Sequence, residues 1–276
     1  MMNIAYTGWT WMMGGAPDQA KRALEQSFKE CKYLGYDYVE NFAFISAFFE
    51  EDPQELVALT EKYGVKLVNL YGHFTGDAAQ DIATGKKQID FLAAIGGKWF
   101  NCQHGGYRDG EPERPLDTAL CDTICAISEE LGAYARARGV TLCFHPHYGT
   151  CVFDREQIDY FFAHTTPENV AMCPDTAHTT LAGIDPAALI RDYGSRIAYV
   201  HLKDVDTCAL KKLDGRAKMS SFRALGLGTV DFRGVYEALQ EVGYDGILCV
   251  ELDNPAICNY NSAEISRKYI KNVLGL

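Results

Sequence analysis

Short runs rich in β-branched, aromatic and small apolar residues recur along the chain, each followed by a longer stretch with apolar side chains every three or four positions. The runs fall at residues 3–7, 37–41, 66–71, 98–102, 140–145, 170–175, 196–201 and 246–251. Such short, nearly continuous apolar runs suit strands covered on both faces, as in a parallel sheet flanked by helices. The intervening stretches, among them APDQAKRALEQSFKECKYLG, DPQELVALTEKYG, PLDTALCDTICAISEELGAYARARG and FRGVYEALQEVG, read as amphipathic helices. Pro17, Pro53 and Pro186 mark helix starts, and Gly35, Gly64, Gly139 and Gly243 mark stops. Eight strand–helix units over 276 residues average about 34 each, which predicts an α/β protein with a (β/α)8 TIM barrel. No linker or composition shift divides the chain, so residues 1–276 are expected to form a single domain.

Two connections are long and irregular. GGYRDGEPERP at 105–115 follows the fourth run, and residues 205–232 follow the seventh. Both leave the carboxyl ends of strands, the face on which barrel sites are built, so they are expected to act as lids or substrate walls. The second connection contributes Arg223 as a substrate-binding candidate. GLGT at 226–229 lacks the glycine spacing and the preceding strand of a phosphate loop, and it leads into a helix capped by Asp231.

The candidate chemistry lies at the strand ends. Of seven histidines, six (His73, His104, His145, His147, His178 and His201) stand at or within three residues of the end of an apolar run. Runs five to eight end in His145, Asp175, His201 and Glu251. Neighbouring barrel strands bring such ends together, and two imidazoles with two carboxylates make a mixed nitrogen and oxygen site for a divalent ion: Mn first, then Co, Mg, Zn or Fe. His178 follows a strand end and precedes a helix, which suits hydrogen bonding to substrate hydroxyls. Lys203 is placed to donate to a substrate carbonyl oxygen, or else to pair with Asp204 at the surface. His147, in HPHYGT, has three open roles: orienting His145, binding substrate or carrying protons. His73, His104, Gln103, Tyr6, Trp9, Trp11 and Phe44 are expected to form a wall against the apolar face of a sugar or cyclitol ring. The aromatics of AFISAFFEED suit a lid or a subunit contact, in a homo-oligomer or with a partner subunit, equally well.

Charge and cysteine content narrow the partners. A formal net charge of −11 argues against nucleic acid and anionic membranes, which select basic faces. MMNIAYTGWTW resembles no signal peptide, and no apolar stretch is long enough to span a bilayer, so a cytoplasmic location is expected. The ten cysteines lack CxxC spacing, and several lie within apolar runs as buried thiols.

At FHPHYGT (144–150), DTAH (175–178), HLKD (201–204), GLGTVDF (226–232) and VEL (250–252), the chain resembles the sugar isomerase/epimerase superfamily with a xylose-isomerase-like barrel. That superfamily includes ketose 3-epimerases, inosose dehydratases and C-glycoside deglycosidases acting on 3-keto-glycosides. The resemblance implies metal ligation by His145, Asp175, His201 and Glu251, and substrate binding by His178. It also implies one chemistry: a proton is removed next to a carbonyl, followed by elimination or by return of the proton to the other face. His145 stands where epimerases of the superfamily usually carry a glutamate, and FHPHYGT is closer to the inosose dehydratase branch, which favours elimination over epimerisation or isomerisation. His145, Glu251 and His147 are the candidate acid/base groups, with His145 as ligand, base or both. A barrel like endonuclease IV would also use His73 and His104 as ligands, but it needs a D-x-H pair absent from 205–232. A non-catalytic sugar-binding or partner subunit is the alternative from another class.

Overall fold

The computed structural model describes residues 2–12, 17–107 and 111–276. Eight parallel strands, Asn3–Thr7, Tyr38–Phe42, Lys66–Phe74, Trp99–His104, Thr141–Phe144, Val170–Met172, Tyr199–Leu202 and Ile247–Val250, follow one another around a barrel. The eighth strand lies between the first and the seventh. Between the sixth and seventh strands only two isolated parallel bridges, Met172 to Ile197 and Asp175 to His201, close the wall. Each expected run therefore holds a strand, and the α/β barrel expectation is met.

The sixth strand stops three residues short of its apolar run because Pro174 has no N–H to add to the ladder. The Pro174 carbonyl still accepts from His201 N–H at 2.9 Å, which carries the sheet up to Asp175. Helices cover the outside. Pro53–Tyr63 shows the logic: Asp52 caps its first turn by accepting from Gln54 N–H, Pro53 starts it, and Gly64 ends it at φ 67°.

Side chains alternate across each strand, and one set fills the barrel. Ala5, Cys143, Cys173, Tyr199, Ile247 and Cys249 form a packed interior layer. The next inward positions, two residues on, are His145, Asp175, His201 and Glu251. The even-numbered neighbours Leu142, Met172, Val200 and Leu248 belong instead to the large core between barrel and helices.

The connection at 205–232 is ordered. Asp204–Val205 pairs antiparallel with Phe222–Arg223, and Gly215–Ser221 forms a 3₁₀ segment between them. The Asp204 carboxylate accepts from the backbone N–H groups of Val205, Gly226, Gly228 and Val230 at 2.8–3.1 Å. The two glycine amides of GLGT are thus engaged by the protein's own carboxylate. A Cβ on Gly228 would lie 2.3 Å from Asp204 Oδ1, so this loop needs glycine there. The two long connections meet at the Tyr148 hydroxyl, which lies 3.1 Å from Glu113 Oε1 and 2.9 Å from the Gly215 carbonyl; Lys218 also pairs with Glu113. Residues 108–110 of the first connection lie outside the described residues. In AFISAFFEED, Ala43, Ile45 and Phe49 are buried, and Phe44 is the large hydrophobic left exposed. No helix among the described residues is long and apolar enough to cross a membrane.

Candidate active site

His145, Asp175, His201 and Glu251 converge at the carboxyl end of the barrel, each offering a ligand atom within 4.8 Å of the others. All four are buried. Asp175 caps the helix Thr176–Leu181 through Oδ1, which accepts from Ala177 and His178 N–H at 2.7 and 2.9 Å. That fixes its carboxylate and turns Oδ2 to the cluster. Asp175 Oδ2, Glu251 Oε2, His201 Nδ1 and both ring nitrogens of His145 have no well-directed hydrogen bond. Buried polar atoms left this way are costly, and here all four residues of one cluster share the defect. Two nitrogen and two oxygen atoms facing one centre fit a divalent transition ion, which would take His201 Nδ1 once its proton leaves and share the carboxylates now paired with Lys203.

The electrostatics suit the same occupant. Burial, reinforced by His201 and His147, holds His145 well below the usual imidazole range, so its ring is neutral. Burial pushes the Asp175 carboxyl up to about 6. Burial alone would depress His201, yet Glu40 and Glu251 hold it well above its ordinary value. Burial would likewise raise Glu251, but Lys203 and His201 keep it well below the usual carboxylate range. Lys203 is itself fully buried, with Nζ 2.8 Å from Glu251, 3.0 Å from Asp253 and 3.4 Å from Asp175. It is not the surface partner of Asp204, whose carboxylate is committed to the GLGT loop.

A second imidazole pair lies beside the cluster. The rings of His147 and His178 have centroids 3.8 Å apart, and each lies within 5.7 Å of the His145 ring. Burial and the Lys203 charge lower His147 to about 3, so this ring too is neutral. His178 Nε2 lies 3.4 Å from Lys203 Nζ, and Phe222 packs edge-on against the His178 ring at 5.2 Å. His147, His178, Lys203 and the quartet therefore share one mouth, closed on one side by the Phe222 segment.

The aromatic wall is present but differs from expectation. Trp9 stacks on Phe42 with centroids 4.6 Å apart, and Phe42 and Tyr71 both meet His73 at 5.2 Å. Tyr71 also donates from its hydroxyl to Gln103. Phe44 reaches this wall through Phe42, at 6.1 Å. Four candidates face elsewhere, His104 and Arg223 because the residue beside each takes the inward place. His104 lies on the opposite face of its strand from Gln103, against Tyr107 and under the influence of Asp81. Tyr6 points outward onto Tyr36, and Trp11 packs on Tyr6 while its Nε1 donates to Glu30 at 2.6 Å. Arg223 donates to the Ser220 and Phe222 carbonyls, on the side of its strand away from Phe222's ring.

Sequence reasoning also missed Glu40, Asn101, Tyr71 and Asp253. Glu40 Oε2 accepts from His201 Nε2 at 3.0 Å and from Asn101 Nδ2 at 3.1 Å. The available signal was a carboxylate inside an apolar strand and an acid two residues beyond Glu251.

A family model described as xylose isomerase-like TIM barrel matches residues 28–273. The chain belongs to that family. Among its curated relatives is the inosose dehydratase of Geobacillus kaustophilus, 30% identical over 272 residues, covering 91% of this chain and 87% of the relative. The inosose dehydratase of Lacticaseibacillus casei is 29% identical over 300 residues, covering 100% and 97%. Solved structures of the same fold include an L-ribulose 3-epimerase (TM-score 0.79, 19% identity, 100% and 95% coverage). Another is the IolI protein with a zinc atom bound (TM-score 0.78, 17% identity, 99% and 98%).

Proposed function

We propose that the protein is a divalent-metal-dependent lyase acting on a keto-cyclitol or keto-sugar, removing the proton next to the carbonyl and then expelling a β-substituent. The observation that carries this is the quartet His145, Asp175, His201 and Glu251, buried together around one centre with both His145 ring nitrogens unbonded. Inosose dehydratase relatives that align over nearly the whole chain support a dehydration, with a cyclitol ketone as substrate. A bound ion would supply Lewis acidity, polarising the carbonyl and lowering the cost of the adjacent C–H cleavage. Manganese is the first candidate, followed by Co, Mg, Zn and Fe.

The chain's own residues supply the proton transfers. A neutral imidazole can accept the carbon-bound proton, and His145 is the candidate base if a ring nitrogen is spared from ligation. As the C–H bond breaks, its electron pair passes into the substrate's oxygen, and the Lys203 ammonium beside Glu251 stabilises the charge that develops there. The C–O bond to the β-hydroxyl then breaks and the leaving oxygen takes a proton, departing as water. That proton is the one His145 removed from carbon, relayed through His147 or His178, whose neutral rings lie beside the base. Trp9, Phe42 and His73 offer the ring an apolar wall with one polar edge. We place the enzyme in the cytoplasm, a reducing compartment that suits its ten free thiols.

The test is incubation with Mn²⁺ in D₂O against inososes, ketohexoses and 3-keto-glycosides, followed by NMR. Deuterium entering beside the carbonyl with loss of water, or of the aglycone from a 3-keto-glycoside, is expected. Exchange with inversion and no loss would make the protein an epimerase. Binding without exchange would make it a non-catalytic sugar-binding subunit.

A further inference from the structure

Glu40 is fully buried in the barrel wall, on a strand that provides none of the quartet. An ionised carboxylate at such depth is expensive unless hydrogen-bonded. Its bonds come from His201 Nε2 and Asn101 Nδ2, both to Oε2. A carboxylate only accepts, so the proton between Glu40 and His201 belongs to Nε2. The other ring nitrogen, Nδ1, lies 3.1 Å from Glu251 Oε2, on the side of the cluster. Glu40 and Glu251 thus hold opposite edges of one imidazole. Asn101 secures the arrangement: its Nδ2 bonds Glu40 and reaches Cys173 Sγ at 3.5 Å, so the carboxylate cannot turn away freely.

We propose that Glu40 is a positioning residue that, by accepting the Nε2 proton, fixes the rotation and tautomer of His201 so that Nδ1 presents its lone pair to the divalent ion. The proposal rests on the metal-dependent function given above. A hydrogen-bonded carboxylate behind a ligating histidine raises its basicity and removes the entropy of ring rotation, and losing such a partner typically weakens binding 10–100-fold. Glu40 could instead be a ligand, since its carboxylate, His201 and Cys249 also lie within 4.8 Å of one another. The two roles separate in a double-mutant cycle.

The experiment is calorimetric titration of metal-free protein with Mn²⁺ and Co²⁺ for wild type, Glu40→Gln, His201→Ala and the double variant. Circular dichroism confirms the fold, and the visible spectrum of bound Co²⁺ reports ligand geometry. Gln is nearly isosteric, so the variant folds, but it loses the charge that raises the basicity of His201, and its amide can turn its NH2 to Nε2, so the tautomer is no longer fixed. Expected are a Kd at least about 10-fold weaker for Glu40→Gln, a changed Co²⁺ spectrum, and no further loss when the substitution is made on His201→Ala. A folded Glu40→Gln protein with a Kd within twofold of wild type overturns the proposal alone. So does an equal loss in the His201→Ala background, which would make Glu40 a ligand. A wild-type chain that takes up neither ion overturns the metal-dependent function, and this proposal with it.

Discussion

Replacing Lys203 with Met should reveal how the metal-free site is held together. Met keeps most of the side-chain length and packing but removes the ammonium that lies within 3.4 Å of Glu251, Asp253 and Asp175. Buried Glu251 and Asp175, and the partly exposed Asp253, are then left without this cation. Because Lys203 is 0% exposed, solvent screening does not dilute the loss. Breaking a buried pair by removing one partner costs about 3–5 kcal/mol. For a chain of this size that lowers Tm by roughly 5–9 °C. A divalent ion replaces the missing positive charge, so adding one should raise the Tm of the variant more than that of wild type. The deficit should also narrow in acid. Glu251 is held below its ordinary pKa in the wild type, so its contribution is present above the unfolded carboxylate pKa and fades as pH falls through the folded value. Thermal melts in chelator, with and without added Mn²⁺, at several pH values, measure all three effects. A Lys203→Met Tm within about 2 °C of wild type in chelator, or an equal metal-induced rise in both proteins, would refute the reasoning.

Four further outcomes are expected. Metal binding at pH 7 should release about one proton, because His201 is held protonated by Glu40 and Glu251 and must free Nδ1 to ligate; calorimetry in buffers of different ionisation enthalpy reads it, and no release would contradict the assignment. Below about pH 6, Asp175 also arrives protonated, so affinity should fall as pH drops. His147→Phe and His178→Asn should each lower the elimination rate by about 10²–10⁴ while leaving bound metal unchanged; loss of metal would make them ligands. His145→Glu should keep the ion but lose elimination, since it exchanges a neutral imidazole for a carboxylate; unchanged turnover would show that His145 is not the base.

The barrel was legible because strands buried on both faces leave continuous apolar runs, and eight such runs with helical spacers admit few architectures. Their ends were less so: Pro174 shortens the sixth strand by removing a donor, which periodicity does not report. The quartet was legible because all four residues occupy the first inward position above the packed layer of Cys143, Cys173, Tyr199 and Cys249. The wall was misjudged where facing turns on a single residue. His104 beside Gln103 and Arg223 beside Phe222 are adjacent in sequence but point to opposite sides of a strand. Trp11 was misplaced for a different reason, its indole being drawn to Glu30 on the first helix. Glu40 was missed because its partner, His201, is 161 residues away, and only closure of the barrel brings them together.

Metal content tests the central claim most directly. Wild type and a His201→Ala/Glu251→Gln double variant would be purified, equilibrated with Mn²⁺, desalted and analysed for metal per chain. One equivalent in the wild type and none in the folded double variant is the expected result. A wild-type chain without a divalent ion, or a variant that retains it equally, would contradict the site.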